Sequence, residues 1–177
     1  MRELASAFAR PAPDEYPEYY GRYISQVPDG DILEMLAQQM TETTALLRGV
    51  PADRETYRYQ PGKWSIREVV GHVVDTERVF GMRALHFARG DSTPLPSFEQ
   101  DDWARVSNAG RRPLADLAEE LRVVRGGHLI MLRGLDPDAA LRRGMTTAEF
   151  TVRSLAWILA GHEIHHVRIL REAYGCR

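Results

Sequence analysis

A chain of 177 residues has the length of a single domain. Its 44% hydrophobic and 27% charged residues are ordinary for a globular protein with an apolar core, which excludes a disordered chain and a disulfide-stapled one. Its 23 lysines and arginines are balanced by 25 aspartates and glutamates. The formal net charge of -2 excludes a strongly basic surface that would bind nucleic acid or anionic lipid.

The single cysteine, Cys176, cannot form an internal disulfide, which is typical of proteins in a reducing cytoplasm. We expect it to be an exposed thiol without a catalytic role. The N-terminal residues lack the apolar run of a signal peptide. The longest apolar stretch, residues 155–160, is far shorter than the ~20 residues that span a membrane. The sequence therefore predicts a cytoplasmic protein with no membrane or nucleic-acid partner.

The first thirty residues are rich in proline and tyrosine. Prolines at this density prevent a long helix, and tyrosines favour a surface on which to pack. We therefore expect residues 1–30 to form a lead-in that packs across the domain, and residues 31–177 to form the domain itself. The residues concerned are Pro11, Pro13, Pro17, Pro28, Tyr16, Tyr19, Tyr20 and Tyr23.

Four segments have the apolar periodicity of amphipathic helices. The second begins with a capping box, in which Ser65 and Glu68 can satisfy each other's free amides. No convincing strand is predicted, so the fold class is an all-α four-helix bundle. The four segments are 31–48, 65–89, 113–134 and 151–175.

A long connection, residues 91–112, joins the second predicted helix to the third. It is long enough to carry the chain back along the bundle, which would make these two helices parallel. Phe98 and Trp103 in this crossover are expected either to line a pocket or to pack on the bundle.

Histidines occupy inward positions of two predicted helices. His162 and His166 are spaced i, i+4 where the apolar stripe of the fourth helix predicts leucine or isoleucine, so their side chains stand one turn apart on one face. Two imidazoles at this spacing can reach one divalent ion. His72 faces inward from the second helix. Gly71 and Gly161 precede two of these histidines, and glycine inside a helix indicates a close backbone approach.

Other interpretations of the histidines stay open at this point. A lone buried histidine is more often a core residue than a ligand, and His165 is a rival ligand at i, i+3 from His162. His86 and His128 have no such partner and are expected to be ordinary helix residues. The H-E-x-x-H pattern at 162–166 also fits zinc proteases, but the extended zincin pattern fails because Ile169 stands where glycine belongs.

Two motifs resemble the DinB/YfiT-like superfamily: residues 61–77, PGKWSIREVVGHVVDTE, and residues 161–170, GHEIHHVRIL. The resemblance extends from about residue 15 to the end of the chain. It implies a four-helix bundle with a long crossover between helices two and three, commonly a homodimer. It also implies a divalent metal, zinc or nickel, held by His72, His162 and His166.

The resemblance implies chemistry on a small-molecule substrate. Some members are transferases or isomerases that use a low-molecular-weight thiol, and others are described as hydrolases; we place thiol-dependent transfer slightly ahead of hydrolysis. Glu163 is the acid/base candidate and Glu77 a second one, although a surface or helix-bridging carboxylate is the commoner role for each. The alternative to an enzyme is a non-enzymatic, metal-stabilised bundle that binds a ligand in a stress response.

Overall fold

The computed structural model describes residues 2–177. Most of these residues lie in helices. A two-stranded hairpin precedes the last helix, and short 3-10 turns connect several elements. No helix in the described range is long and apolar enough to cross a membrane. The elements are α1 (Arg2–Ala7), α2 (Gly21–Ile24), α3 (Ile32–Arg48), α4 (Ile66–Ala88), α5 (Gln100–Val106), α6 (Leu114–Arg133), β1 (Arg143–Met145), β2 (Glu149–Thr151) and α7 (Val152–Glu172).

Local side-chain caps set where the long helices begin. Asp31 accepts hydrogen bonds from two amides in the first turn of α3. At α4 the Ser65 amide donates to Glu68, whose own amide donates to the Ser65 hydroxyl, and Thr151 caps α7 in the same reciprocal way with Ser154. Such caps satisfy amides that lack a partner in the first turn. The helix beginnings that the sequence predicted are therefore confirmed within a residue or two.

The four long helices form a bundle in which each packs on two others. α6 and α7 both pack against α3 and against α4. The early turns of α4 share an apolar cluster with the early turns of α6 and with Leu170 near the end of α7. The late turns of α4 share another cluster with the late turns of α6 and the early turns of α7. Helices α4 and α6 are therefore parallel, α4 and α7 are antiparallel, and the predicted four-helix bundle with a long crossover is confirmed.

A polar layer separates the two apolar clusters at mid-height of the bundle. Each long helix changes from apolar to polar side chains there: Thr43 in α3, Glu77 in α4, Arg125 in α6 and Glu163 in α7 are all buried. Apolar residues continue above and below this layer in every helix. The layer is the part of the bundle that burial of apolar surface does not explain, and the candidate site lies beside it.

The lead-in packs against the bundle. Phe8, Ile24 and Val27 are buried in the cluster that includes the early turns of α7, and the Trp157 indole donates to the Phe8 carbonyl oxygen at 2.9 Å. The division into residues 1–30 and 31–177 stays a prediction.

The absence of strands is the one wrong expectation about secondary structure. β1 and β2 pair antiparallel with Gly144 opposite Phe150, and Phe150 is buried. Strands of three residues are too short to show an alternating pattern in the sequence. The hairpin was missed for that reason.

Cys176 is not the exposed thiol that the sequence suggested. Its side chain is buried in the apolar cluster with Leu170 and Tyr174, and its amide donates to the Leu170 carbonyl oxygen. Burial raises the pKa of the thiol, which keeps it in the unreactive protonated form. The thiol is buried because the chain turns back at Gly175, where φ is 73°.

Candidate metal centre

Three histidine side chains meet between α4 and α7. The Nε2 atom of His162 lies 3.0 Å from Nε2 of His72 and 3.1 Å from Nε2 of His166. His72 and His162 are buried and His166 is partly buried. Within residues 2–177 no other group of three or more His, Cys, Asp or Glu side chains brings its ligand atoms so close together. The structure thus places side by side the three histidines that the sequence singled out.

Two glycines allow neighbouring segments to approach the histidine-bearing helices. A Cβ atom on Gly161 would lie 2.2 Å from the carbonyl oxygen of Tyr23, and one on Gly71 would lie 2.5 Å from the Cβ of Ala109. Atoms cannot approach so closely, so the predicted close approach is confirmed at both positions. The neighbours are α2 and the turn after α5, which are held against the two helices next to the histidines.

All three imidazoles are held in the neutral form. Burial lowers the pKa of His72 to about 4. Burial, followed by repulsion from His72, lowers the pKa of His166 to about 3. Burial and the two neighbouring histidines also lower the pKa of His162 well below its ordinary value. Neutral imidazole is the form that binds a metal through a nitrogen lone pair.

The donor set fits a divalent ion better than it fits hydrogen bonding. A neutral imidazole nitrogen carries either one proton or one lone pair. The Nε2 atom of His162 therefore cannot make a good hydrogen bond to both His72 and His166. One cation would satisfy all three lone pairs together. Nitrogens bound to tetrahedral zinc stand ~3.3–3.4 Å apart at Zn–N distances of ~2.0–2.1 Å, which is within a few tenths of an ångström of the two distances here.

The remaining histidines lie elsewhere. His165 points towards Tyr23, with ring centroids 5.6 Å apart, and its nitrogens do not join the cluster. His86 contacts the carbonyl oxygen of Thr93 at 2.9 Å. His128 contacts Glu77. Of the two candidate second ligands on α7, the structure brings His166 and not His165 to the cluster.

A buried ionic cluster lies in the polar layer beside the histidines. Arg125 donates to both carboxylate oxygens of Glu77 at 2.8 Å, and its Nη2 lies 2.7 Å from Oε2 of Glu163. Glu163 also accepts a hydrogen bond from the Thr43 hydroxyl, and His128 contacts Glu77 at 2.9 Å. Glu77 and Glu163 thus bridge helices. The catalytic role predicted for Glu163 stays a prediction.

We expect the ionisation of Glu77 to make the free energy of unfolding depend on pH in the acid range. Burial opposes its ionisation, but Arg125 and His128 overcome this and lower its pKa from 4.5 to about 2. Because the folded-state pKa is the lower one, ionised Glu77 stabilises the fold at neutral pH, by about 3 kcal/mol. This contribution is lost as the pH falls from about 4.5 to about 2.

Urea unfolding of the wild type and Glu77→Gln at several pH values measures this effect. The difference in unfolding free energy between them should shrink as the pH falls below about 4.5. The exposed Glu34→Gln is the control and should follow the wild type. A difference that stays constant down to pH ~3 would contradict the assignment.

Two cavities open beside the histidine cluster. One, of about 310 Å³, has His166 in its wall, and the other, of about 330 Å³, has His72 and His162. Asp101 of α5 lines both cavities. Its negative charge partly offsets the effect of burial on the pKa of His72. The crossover thus places a carboxylate on the wall that the two cavities share.

Of the two crossover aromatics, Phe98 lines the cavity with His72 and His162. Trp103 packs on Phe98 with ring centroids 4.9 Å apart and is 43% exposed. Phe98 therefore shows both outcomes considered from the sequence, since it lines a pocket and also packs against an apolar cluster of the bundle. Trp103 packs on Phe98 instead of on the bundle.

A larger cavity, of about 480 Å³, lies between α3 and α7. Its wall includes Glu163 and Thr43 but none of the three histidines. Size alone would favour it as the site. We place the site at the histidines because ligand atoms converge there, whereas the Glu163 carboxylate is already paired with Arg125.

Sequence reasoning missed two residues of this region. Asp101 belongs to an acidic run at the start of α5, and no spacing connects it with a histidine. Arg125 did leave a signal, because it lies four residues from both Leu121 and Leu129 on the apolar face of its helix. A charged residue in such a place indicates a buried ionic partner.

A comparison with known protein families covers the same residues. The sequence model of the DinB superfamily matches residues 35–170, a span that contains all three histidines. The chain belongs to the DinB superfamily. A proposed metal-dependent hydrolase of Oceanobacillus iheyensis is 30% identical to this DinB-superfamily chain over 161 residues, covering 84% of it and 90% of the relative. One of Geobacillus kaustophilus is 28% identical over 167 residues, covering 78% and 88%.

Solved structures share the fold. YfiT from Bacillus subtilis, described as a proposed metal-dependent hydrolase with an unusual four-helix bundle topology, matches with a TM-score of 0.68 at 16% identity over 94% of both chains. The mycothiol-dependent maleylpyruvate isomerase matches with a TM-score of 0.65 at 14% identity, over 86% of this chain and 63% of the isomerase. The DinB/YfiT-like resemblance drawn from the two motifs is confirmed.

Proposed function

We propose that this DinB-superfamily protein is a metal-dependent enzyme acting on a small molecule, with the metal held by His72, His162 and His166. The observation that carries the proposal is the convergence of three neutral Nε2 atoms beside two cavities. Three protein ligands leave positions free for substrate, which is typical of catalytic rather than structural zinc sites. Imidazole suits zinc and nickel alike, and these are the two ions we favour.

Hydrolysis is the reaction we favour. The relatives at 30% and 28% identity are both named as proposed metal-dependent hydrolases. A divalent ion held by His72, His162 and His166 would supply Lewis acidity and would make water a better nucleophile near neutral pH. Asp101, which lines both cavities, is the carboxylate we propose as the proton acceptor. This order reverses the one drawn from the sequence, in which thiol-dependent transfer came first.

Thiol-dependent transfer is the second candidate. Two separate cavities at one histidine cluster provide room for two molecules, a thiol and its acceptor. The mycothiol-dependent maleylpyruvate isomerase, a thiol-dependent enzyme, shares the fold, and this likeness supports thiol chemistry as the second candidate. A homodimer located in the cytoplasm, expected from the sequence, stays a prediction.

Metal content of purified protein tests the site. We expect the wild type to retain a divalent metal through gel filtration, and His72→Ala and His166→Ala to lose most of it. Their affinity should fall by more than the ~10–100-fold that loss of a supporting residue costs. His165→Ala is the matched control, because this histidine lies in the same motif outside the cluster, and it should keep its metal.

The outcomes separate the classes of function. If neither ligand variant loses metal, the site is wrong. If both lose metal and the melting temperature collapses with it, the non-enzymatic, metal-stabilised bundle is supported instead. If metal is lost and the fold survives, an assay of ester hydrolysis, set beside conjugation of an electrophilic chloroarene with and without glutathione, separates hydrolase from thiol transferase.

A further inference from the structure

Arg83 is a buried cation for which the fold provides no anion. It lies in α4 and is 3% exposed. In the part of the chain that the structure describes, no carboxylate oxygen lies within 4.0 Å of its guanidinium nitrogens. Its Nη2 donates to the Pro96 carbonyl oxygen at 2.9 Å, and its Nε is buried without a hydrogen-bond partner. Arg125 is also buried but is paired with two carboxylates.

The surroundings of Arg83 stabilise its positive charge only weakly. Its guanidinium carbon lies 5.1 Å from the ring centroid of Phe80. Burial lowers the pKa of Arg83, and the neutral Tyr20 hydroxyl, which is close enough to accept a hydrogen bond from the guanidinium, opposes that effect. A buried, unpaired charge and an unused N–H donor both cost free energy. Such a group is commonly kept where a ligand supplies the missing partner.

Arg83 lines a cavity of about 250 Å³ that suits an anion. Its polar walls carry hydroxyl groups, and no acidic side chain lines it, so nothing there competes for the guanidinium. Phe98 and Phe150 form apolar walls. The hydroxyl groups belong to Tyr19, Tyr20, Ser97, Thr146 and Thr147.

This cavity adjoins the one at the histidines. Tyr19, Tyr20 and Phe98 line both. On α4, His72 and Arg83 are eleven residues apart, which puts them on the same face of the helix with a rise of ~16 Å between them. One elongated molecule could therefore contact the histidine cluster at one end and Arg83 at the other.

We propose that Arg83 binds a carboxylate of the substrate, so that the substrate class is an elongated small carboxylic acid whose reactive group lies at the histidines. This inference rests on the proposed metal-dependent function only for the position of the reactive group, and not for the binding of the carboxylate to Arg83. The planar guanidinium can bind both oxygens of one carboxylate through two parallel N–H donors. A single cation, with no lysine or second arginine in the cavity wall, matches a monoanion better than a phosphate dianion. The aromatic walls contact the apolar middle of the molecule.

The test uses hexanoate as the probe, with inorganic phosphate beside it, on metal-loaded and metal-free protein. The Arg83 Nε–H resonance, assigned by its absence from the ¹H–¹⁵N spectrum of Arg83→Met, should shift on hexanoate addition. Hexanoate affinity should fall at least ~10-fold in Arg83→Met and less in Arg83→Lys. The exposed Arg78→Met, on the same helix and paired with Glu120, should bind as the wild type does.

The proposal is overturned if hexanoate leaves the Arg83 resonance unmoved, or if Arg83→Met binds it unchanged. Tighter binding of phosphate than of hexanoate would overturn the carboxylate class. Hexanoate binding is also measured on metal-free protein, so failure of the proposed metal site would be distinguished from failure of the Arg83 site. If Arg83→Met does not fold, the resonance shift in the wild type and the affinity of Arg83→Lys still decide.

Discussion

Replacing Arg125 by methionine is expected to lower the free energy of unfolding by about 3–5 kcal/mol. Arg125 is 1% exposed and forms ion pairs with both Glu77 and Glu163. Methionine keeps most of the side-chain volume but leaves the buried Glu163 without a cation and Glu77 with His128 alone. Uncompensated buried charge, rather than lost packing, is the physical reason for the large effect. Urea unfolding monitored by circular dichroism measures it.

A matched control lies three residues earlier on the same helix. Arg122→Met removes an exposed arginine that pairs with Glu119 across one turn, and such surface pairs contribute little. Adding Glu163→Gln to Arg125→Met should restore part of the stability, because it removes one of the uncompensated charges. An Arg125→Met protein as stable as Arg122→Met would show that the ionic cluster does not stabilise the bundle.

Replacing Gly161 by alanine is expected to destabilise the protein by about 3 kcal/mol, the upper part of the range for overpacking. The new methyl group would lie 2.2 Å from the Tyr23 carbonyl oxygen. Both groups belong to or adjoin the main chain, so α2 must move away from α7. Tyr23 packs on His162 with ring centroids 5.4 Å apart. The displacement should therefore also weaken metal binding, by about 10–100-fold, as loss of a supporting residue does.

Gly127→Ala in α6 is the control for this prediction. A Cβ at Gly127 would meet nothing within 4 Å, so only the helix propensity changes, and stability should rise by up to ~1 kcal/mol. Thermal unfolding and metal titration of both variants measure the two effects. Equal behaviour of the two alanine variants would contradict the close approach at Gly161.

The helices could be predicted because their signals are local. Ser65 with Glu68 and Thr151 as a cap lie within one turn of the amides they satisfy. Apolar periodicity likewise needs only the neighbouring turns of the same helix. The hairpin was missed because three-residue strands are too short to show a period.

The histidine cluster could be predicted only in part. The i, i+4 spacing of His162 and His166 is a property of one helix, so their convergence followed from helical geometry. That His72 joins them was implied by the family resemblance, and the antiparallel packing of α4 on α7 brings it within 3.0 Å of His162. No spacing in the sequence relates Asp101 to the cluster, because the crossover brings it there. Arg83 lies on the same face of α4 as His72, but only the folded chain shows that it has no carboxylate partner among residues 2–177.

The amino-acid sequence alone specified the four helices, their inward faces and the histidines at inward positions of the second and fourth helices, because these depend on contacts within a few turns. It also specified the family, through two motifs some ninety residues apart. Only the tertiary structure decided which buried charges are paired. Arg125 meets two carboxylates and Arg83 none, since partners lie tens of residues away and the path of the chain selects them. The same packing buries Cys176 and joins the Arg83 cavity to the histidines.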